Sequence, residues 1–228
     1  MSDLIPDIQL QDNTDQRLAC VLVLDGSTSM TEKNDEGQSR IDLLNEGLKT
    51  FENELKNDDL ASTRVQVYVL RIGGNSDVEV VSDWTDAINW TAPKIEANGT
   101  TPLGAGAKEA LKQIEFQKSK YQANGITYNR PWLILITDGE PNDAGWERVA
   151  DECREAENDN KVTVFPIGVD GSNIDALSRF ANKSAIPLKN LAFNELFVWL
   201  SRSVSIGSQA AAGDKIQLPA MGWGDIEV

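Results

Sequence analysis

Two uninterrupted apolar runs, each ending on an aspartate, constrain this chain more than any other feature. Residues 18–24 read LACVLVL and stop at Asp25, and residues 132–137 read WLILIT and stop at Asp138. Apolar runs of this length without alternation suit β-strands covered on both faces, because neither face then meets water. A carboxylate placed directly after such a strand lies at its C-terminal edge, where clefts form in open parallel sheets. A third run, VTVFPIG at 162–168, carries Pro166 near its end, where a lost ladder hydrogen bond costs least.

The segments between these runs have other periods. Apolar residues at 41, 43, 44, 48, 51 and 55 predict a helix over 41–55, and similar patterns predict helices over 103–122, 145–158, 173–181 and 193–203. RVQVYVLRI at 64–72 alternates as a strand does; a Gly-Gly-Asn-Ser turn then leads to a second strand at 78–81, which makes a hairpin. A short strand is expected near 185–188. Strands alternating with helices imply an α/β domain with a mostly parallel sheet and one antiparallel edge. At 228 residues, one domain is expected. A chain of that size buries roughly 70–75% of its unfolded surface without disulfide staples. The expected division is a polar lead-in over 1–16, the domain over 17–204, and a Gly/Ala-rich tail over 205–228, with the polar stretch 31–39 as a surface loop.

Composition removes whole classes of function. The chain carries 36 acidic against 21 basic residues, a formal charge of −15, so it has no basic surface with which to displace counterions from nucleic acid or anionic membrane. It contains no histidine, which excludes Ser-His-Asp and Cys-His catalysis, His-ligated zinc and imidazole acid–base chemistry. Cys20 and Cys153 lack metal or redox spacing and read as reduced thiols packed in the interior. No signal-peptide pattern opens the sequence, and no apolar run approaches the ~20 residues that span a bilayer. A cytoplasmic protein is the expectation.

If the two apolar strands are neighbours, Asp25 and Asp138 face one crevice and repel each other unless a cation or proton lies between them. The hydroxyls of Ser27 and Ser29 follow Asp25 at once. Carboxylate and hydroxyl oxygens are hard ligands, suited to Mg²⁺, Mn²⁺ or Ca²⁺. Neighbouring ligands around octahedral Mg²⁺ lie about 3 Å apart, whereas four extended residues reach ~13 Å. The segment 25–29 must therefore curl, and Gly26 eases that. A further segment, NGTTPLG at 98–104, brings the hydroxyls of Thr100 and Thr101 just ahead of a helix.

These motifs carry a family resemblance. DGSTSM resembles the DxSxS element of the metal-ion-dependent adhesion site of von Willebrand factor A (VWA) domains. GTTPLGAG is similar to the family's threonine segment, and LITDGEPND to its TDG segment. All three stand in the family's order, and the resemblance covers roughly residues 18–204. It implies a Rossmann-like three-layer α/β fold, with a six-stranded, mostly parallel sheet in the order 3-2-1-4-5-6 and helices on both faces. It also implies a metal set of Asp25, Ser27, Ser29, Thr101 and Asp138, with Thr100 as the alternative threonine and Mg²⁺ as the expected ion. Partners of the family dock by adding an Asp or Glu to the metal, so a protein partner is expected and enzymatic activity is not.

Within the family, RIDLLNEGLKTF, VFPIGVDG and FNELFVWLSRSVSIGSQ resemble the bacterial tellurite-resistance TerY/YegL-type proteins. That likeness implies a tellurium-resistance or stress-response setting, with a kinase or a metal-dependent phosphatase of the same system as candidate partners. Two departures stand out: Thr28 replaces a residue that is often glycine, and the 31–39 insertion borders the metal edge. Trp146 is the tryptophan nearest that edge and the best aromatic candidate for an interface.

Two other readings stay open at this point. One is a metal-assisted phosphohydrolase built on Asp25, although Ser27 stands where the second acid of such a motif would be. The other is a structural scaffold with an empty site. Nucleotide-binding loops do not fit, because Ala105-Gly106 follows Gly104 where a P-loop needs Lys and Ser/Thr.

Overall fold

The computed structural model describes residues 13–74, 77–210 and 217–221. Strands β1 (Leu18–Asp25), β2 (Val65–Ile72), β3 (Val78–Asp86), β4 (Trp132–Thr137), β5 (Thr163–Val169) and β6 (Ile186–Leu188) form one sheet in the order β3-β2-β1-β4-β5-β6. Only β3 runs antiparallel, against β2 at the sheet edge. The helices are α1 (Arg40–Asn57), α2 (Ala61–Arg64), α3 (Leu103–Ala123), α4 (Trp146–Asn158), α5 (Ile174–Ser178) and α6 (Phe193–Gln209).

Every residue of β1 and β4 is buried, as their unbroken apolar character requires. Alternate side chains of β1 serve opposite layers. Leu18, Cys20, Leu22 and Leu24 pack with Leu44, Leu48 and Phe51 of α1 and Phe197 of α6. Val21 and Val23 pack with Leu103, Ala107 and Ala110 of α3. Connections from β1 first build the sheet on one side and then return to its other side at β4. The switch point therefore falls between β1 and β4, with Leu24 in register with Ile136. Asp25 and Asp138 follow these two positions.

Burial pushes the thiols of Cys20 and Cys153 up to about 12, so both are protonated packing residues at neutral pH. Among the described residues no helix is long and apolar enough to cross a membrane.

Several boundaries differ from expectation. Helix α6 continues to Gln209, through the first residues assigned to the tail. Its Ser/Gly composition suggests a flexible segment, yet Ser203, Ser205, Gly207 and Ser208 are buried. A Cβ on Gly207 would lie 3.2 Å from the Trp132 ring, so small residues here allow the helix to lie close to the sheet. Strand β3 runs five residues beyond 81, past a register irregularity opposite Val67–Leu70. Residues 1–12 of the lead-in and most of the tail lie outside the described residues. The described end of the lead-in is anchored by Asn13, which donates to the Thr63 carbonyl at 2.8 Å, and at the start of the domain the buried Arg17 pairs with Asp86 at 3.0 Å. In the tail, Leu218 and Met221 pack on the core, and the Trp199 indole donates to the Pro219 carbonyl at 2.8 Å.

Candidate metal centre

The loop after β1 does curl. The Asp25 carboxylate accepts the Ser27 backbone N–H at 2.7 Å, which folds the chain back over Gly26. Its other oxygen accepts the hydroxyl of Thr137, the last residue of β4. The Ser29 hydroxyl donates to Asp138 Oδ1 at 2.7 Å, and the Ser27 and Ser29 hydroxyls lie 2.9 Å apart. Because the Ser29 proton is committed to Asp138, Ser27 is the donor to Ser29. Four of the five expected ligands are thus linked in one hydrogen-bonded chain across the switch point.

Thr101 reaches the same edge from the opposite side. It is buried, whereas Thr100 is exposed, which favours Thr101 as the facing hydroxyl. A Cβ on Gly139 would lie 2.9 Å from Thr101 Oγ1, so this threonine packs directly against the turn after Asp138. The segment is held by backbone bonds from Asn98 N–H to the Gly26 carbonyl at 2.7 Å and from Thr28 N–H to the Gly99 carbonyl at 3.1 Å. The Thr28 side chain also donates to the Gly99 carbonyl at 3.1 Å, a tie that glycine would lack.

Two supporting residues were not visible as site residues in the sequence. Arg71, at the end of β2, donates to the Glu96 carbonyl at 2.7 Å and to the Asn98 side chain, and so clamps the threonine segment beside Gly26. Arg40, the first residue of α1, pairs with Asp138 Oδ2 at 2.7 Å and with Glu32 at 3.0 Å. A cation in the first turn of a helix opposes the helix dipole, so its presence there was a readable signal that it needs a partner.

Asp143 also supports the site: it accepts the Gly104 N–H at 3.1 Å and the Ala105 N–H at 2.8 Å, satisfying free donors in the first turn of α3. We expect Asp143→Ala to lower stability by about 1 kcal/mol and to weaken Mn²⁺ binding by loosening the Thr101 segment. Chemical denaturation and calorimetric titration measure the two effects. Trp146 is partly buried beside this edge. One face stacks on Phe180, with ring centroids 5.8 Å apart, and the Arg179 guanidinium lies 5.0 Å from the ring centroid.

The electrostatics fit a hard divalent cation. Burial, reinforced by the nearby Asp138 charge and opposed by the hydrogen bonds from Thr137 and Ser27, pushes the Asp25 carboxyl up to about 6. That is the signature of a buried anion short of positive charge. Among the described residues no three Asp, Glu or Cys side chains gather as a ligand set, so hydroxyls must complete the donor set here. Two carboxylates with Ser27, Ser29 and Thr101 supply hard oxygens only, and soft donors are absent from the set.

The six-stranded sheet, its strand order and the helices packed on both of its faces define a three-layer α/β domain. The chain belongs to the von Willebrand factor type A domain family, whose model matches residues 20–196. A search of curated protein sequences gives no match.

Solved structures with a similar fold include proximal thread matrix protein 1 from the mussel byssus, described with a zinc-occupied MIDAS motif. That match has a TM-score of 0.58 and 17% identity, covering 85% of this chain and 49% of that one. The SpaC pilus adhesin of Lactobacillus rhamnosus GG matches with TM-score 0.64 and 15% identity over 85% of this chain and 32% of its own. The PilB minor pilin of Streptococcus sanguinis matches with TM-score 0.61 and 14% identity over 84% of this chain and 62% of its own. The chain spans about half the length of the mussel protein.

Proposed function

We propose that this domain is a metal-dependent protein-interaction module rather than an enzyme. In this reading Asp25, Ser27, Ser29, Thr101 and Asp138 hold Mg²⁺, or Mn²⁺ or Ca²⁺ in its place, and an Asp or Glu side chain of a partner protein completes the coordination. The observation that carries the reading is the hydrogen-bonded chain from Ser27 through Ser29 to Asp138, beside the buried Asp25, at the sheet's switch point. The bound ion supplies positive charge for an incoming carboxylate, and the residues around it arrange the oxygens and limit access of water. The zinc-occupied MIDAS motif of the mussel protein supports a divalent ion at this edge of the fold.

Catalysis has less support. The chain has no histidine, and Ser27 stands where a phosphohydrolase of the Asp25 type would carry its second acid. The resemblance to tellurite-resistance proteins extends the proposal to a bacterial tellurium-resistance or stress-response complex in the cytoplasm. A kinase or a metal-dependent phosphatase of that system would be the partner.

The deciding experiment is affinity capture with wild type and Asp25→Asn, each with Mg²⁺ and with chelator. The reading expects at least one partner to be retained by wild type with metal and lost in the other three conditions. Capture of the same set in all four overturns it.

A further inference from the structure

We propose that Arg40 is a specificity-determining residue of this centre, the one that makes the metal-loaded edge demand a carboxylate. The proposal deepens the metal-docking reading and rests on it. Two aspartates alone would neutralise a divalent ion, and an added partner carboxylate would then leave a net negative charge in a poorly solvated site, which is costly. Arg40 changes that balance. Its guanidinium pairs with Asp138 Oδ2 at 2.7 Å, while the other oxygen of the same carboxylate faces Ser29. Asp25, Asp138, Arg40 and a divalent cation together leave one positive charge, which one incoming carboxylate cancels.

The geometry also provides the place where that carboxylate binds. Arg40 presents a fork of N–H donors; one arm is committed to the fully buried Asp138 side chain, and the other holds Glu32 at 3.0 Å. The Glu32 side chain is 64% exposed, so water screens the contact and a ligand can displace it cheaply. Glu32 belongs to the 31–39 insertion, which is pinned by the Arg40 N–H to the Glu32 carbonyl at 3.0 Å and closed by a turn in which the Asn34 side chain accepts two backbone N–H groups.

The insertion therefore offers an in-chain carboxylate as a placeholder for the partner's. Arg40 is reached from solvent: with Lys33, Asp170 and Lys189 it lines a polar groove of about 1350 Å³ between the insertion and the start of α6.

The test follows Mn²⁺ binding to the full chain by electron paramagnetic resonance at constant ionic strength. Acetate replaces chloride as the carboxylate probe, and affinities are referred to uncomplexed Mn²⁺. Acetate is expected to tighten Mn²⁺ binding by wild type, because linked ligands raise each other's affinity by the same factor. Arg40→Gln is expected to bind Mn²⁺ about tenfold more tightly without acetate, from removal of one nearby positive charge, and to lose the acetate effect. Glu32→Gln is expected to enlarge the acetate effect about twofold, since the arginine face is then free.

Absence of an acetate effect in wild type overturns the assignment. So does an equal effect in Arg40→Gln, weaker Mn²⁺ binding by that variant, or an unchanged effect in Glu32→Gln, which is a surface change that leaves the core untouched. If wild type binds Mn²⁺ no better than Asp25→Asn, the metal-docking reading fails first and the Arg40 assignment falls with it. Mn²⁺ binding that requires Asp25 but ignores Arg40 overturns the assignment alone.

Discussion

With Mg²⁺ or Mn²⁺ at a hundredfold excess over its dissociation constant, the wild-type chain should gain about 2.7 kcal/mol of stability. For a domain of this size that raises the melting temperature by about 5–10 °C, and Asp25→Asn should show no metal-dependent rise. The expectation follows from the state of the metal-free edge. Asp25 is fully buried, its carboxyl is pushed up to about 6 by burial and by the charge of Asp138, and only part of this is offset by Thr137 and Ser27. Asparagine keeps the shape and can still accept the Ser27 N–H, but it removes one of two like charges.

The variant should therefore melt no lower than wild type when metal is absent, and lower than wild type when metal is present. A site built for binding commonly gives up some stability of the unliganded fold. Thermal unfolding of both proteins with chelator, Mg²⁺ and Mn²⁺ decides the point. Parallel shifts in both proteins would show that the cation acts elsewhere.

How much of this edge could be read in advance depends on whether a residue announces itself by local pattern. Asp25 and Asp138 do, because a charge that ends a fully apolar strand has few places to go; the strand order came from the family resemblance and not from the runs themselves. Ser27, Ser29 and Thr101 are less visible singly, since hydroxyls near turns and helix starts are common; their order along the chain made them legible.

Arg40, Arg71 and Thr137 act through contacts made by residues far apart in sequence. Arg40 and Asp138 are separated by 98 positions, and Thr137 reaches Asp25 across 112. Pairings of that kind come from tertiary packing and leave no period to detect. The end of α6 was hidden for a different reason: Gly and Ser suggest a loose tail in one dimension, but in three they permit close approach of a helix to the sheet. Arg17, the first residue of the expected domain, carried no sign in the sequence that its side chain is entirely buried.

The second large effect concerns the packing that places α1, and with it Arg40, at the metal edge. Gly47 of α1 faces α6 so closely that a Cβ would lie 2.5 Å from the Phe197 ring and 3.1 Å from the Phe193 carbonyl oxygen. Phe197 is fully buried and its ring centroid lies 5.7 Å from that of Phe51. Phe197→Ala should cost about 3–5 kcal/mol, the usual range for emptying a core aromatic site.

Gly47→Ala alone brings two opposed effects: alanine favours the helix by about 1 kcal/mol over glycine, while forcing a methyl group into a filled core costs about 1–3 kcal/mol. The 2.5 Å approach puts the cost near the upper end, so the single variant should be destabilised. In the Phe197→Ala background the ring is gone and only the carbonyl remains close, so the same Gly47→Ala change should become stabilising. A reversal of sign, with a coupling of about 2–3 kcal/mol in a double-mutant cycle followed by urea denaturation, is the expected result.

Additive effects would mean that Gly47 does not serve as the notch for Phe197. Because α1 runs from this crossing to Arg40 beside Asp138, the Phe197→Ala protein should also bind Mn²⁺ with altered affinity. The double variant should recover part of the wild-type value as the α1–α6 contact is partly refilled.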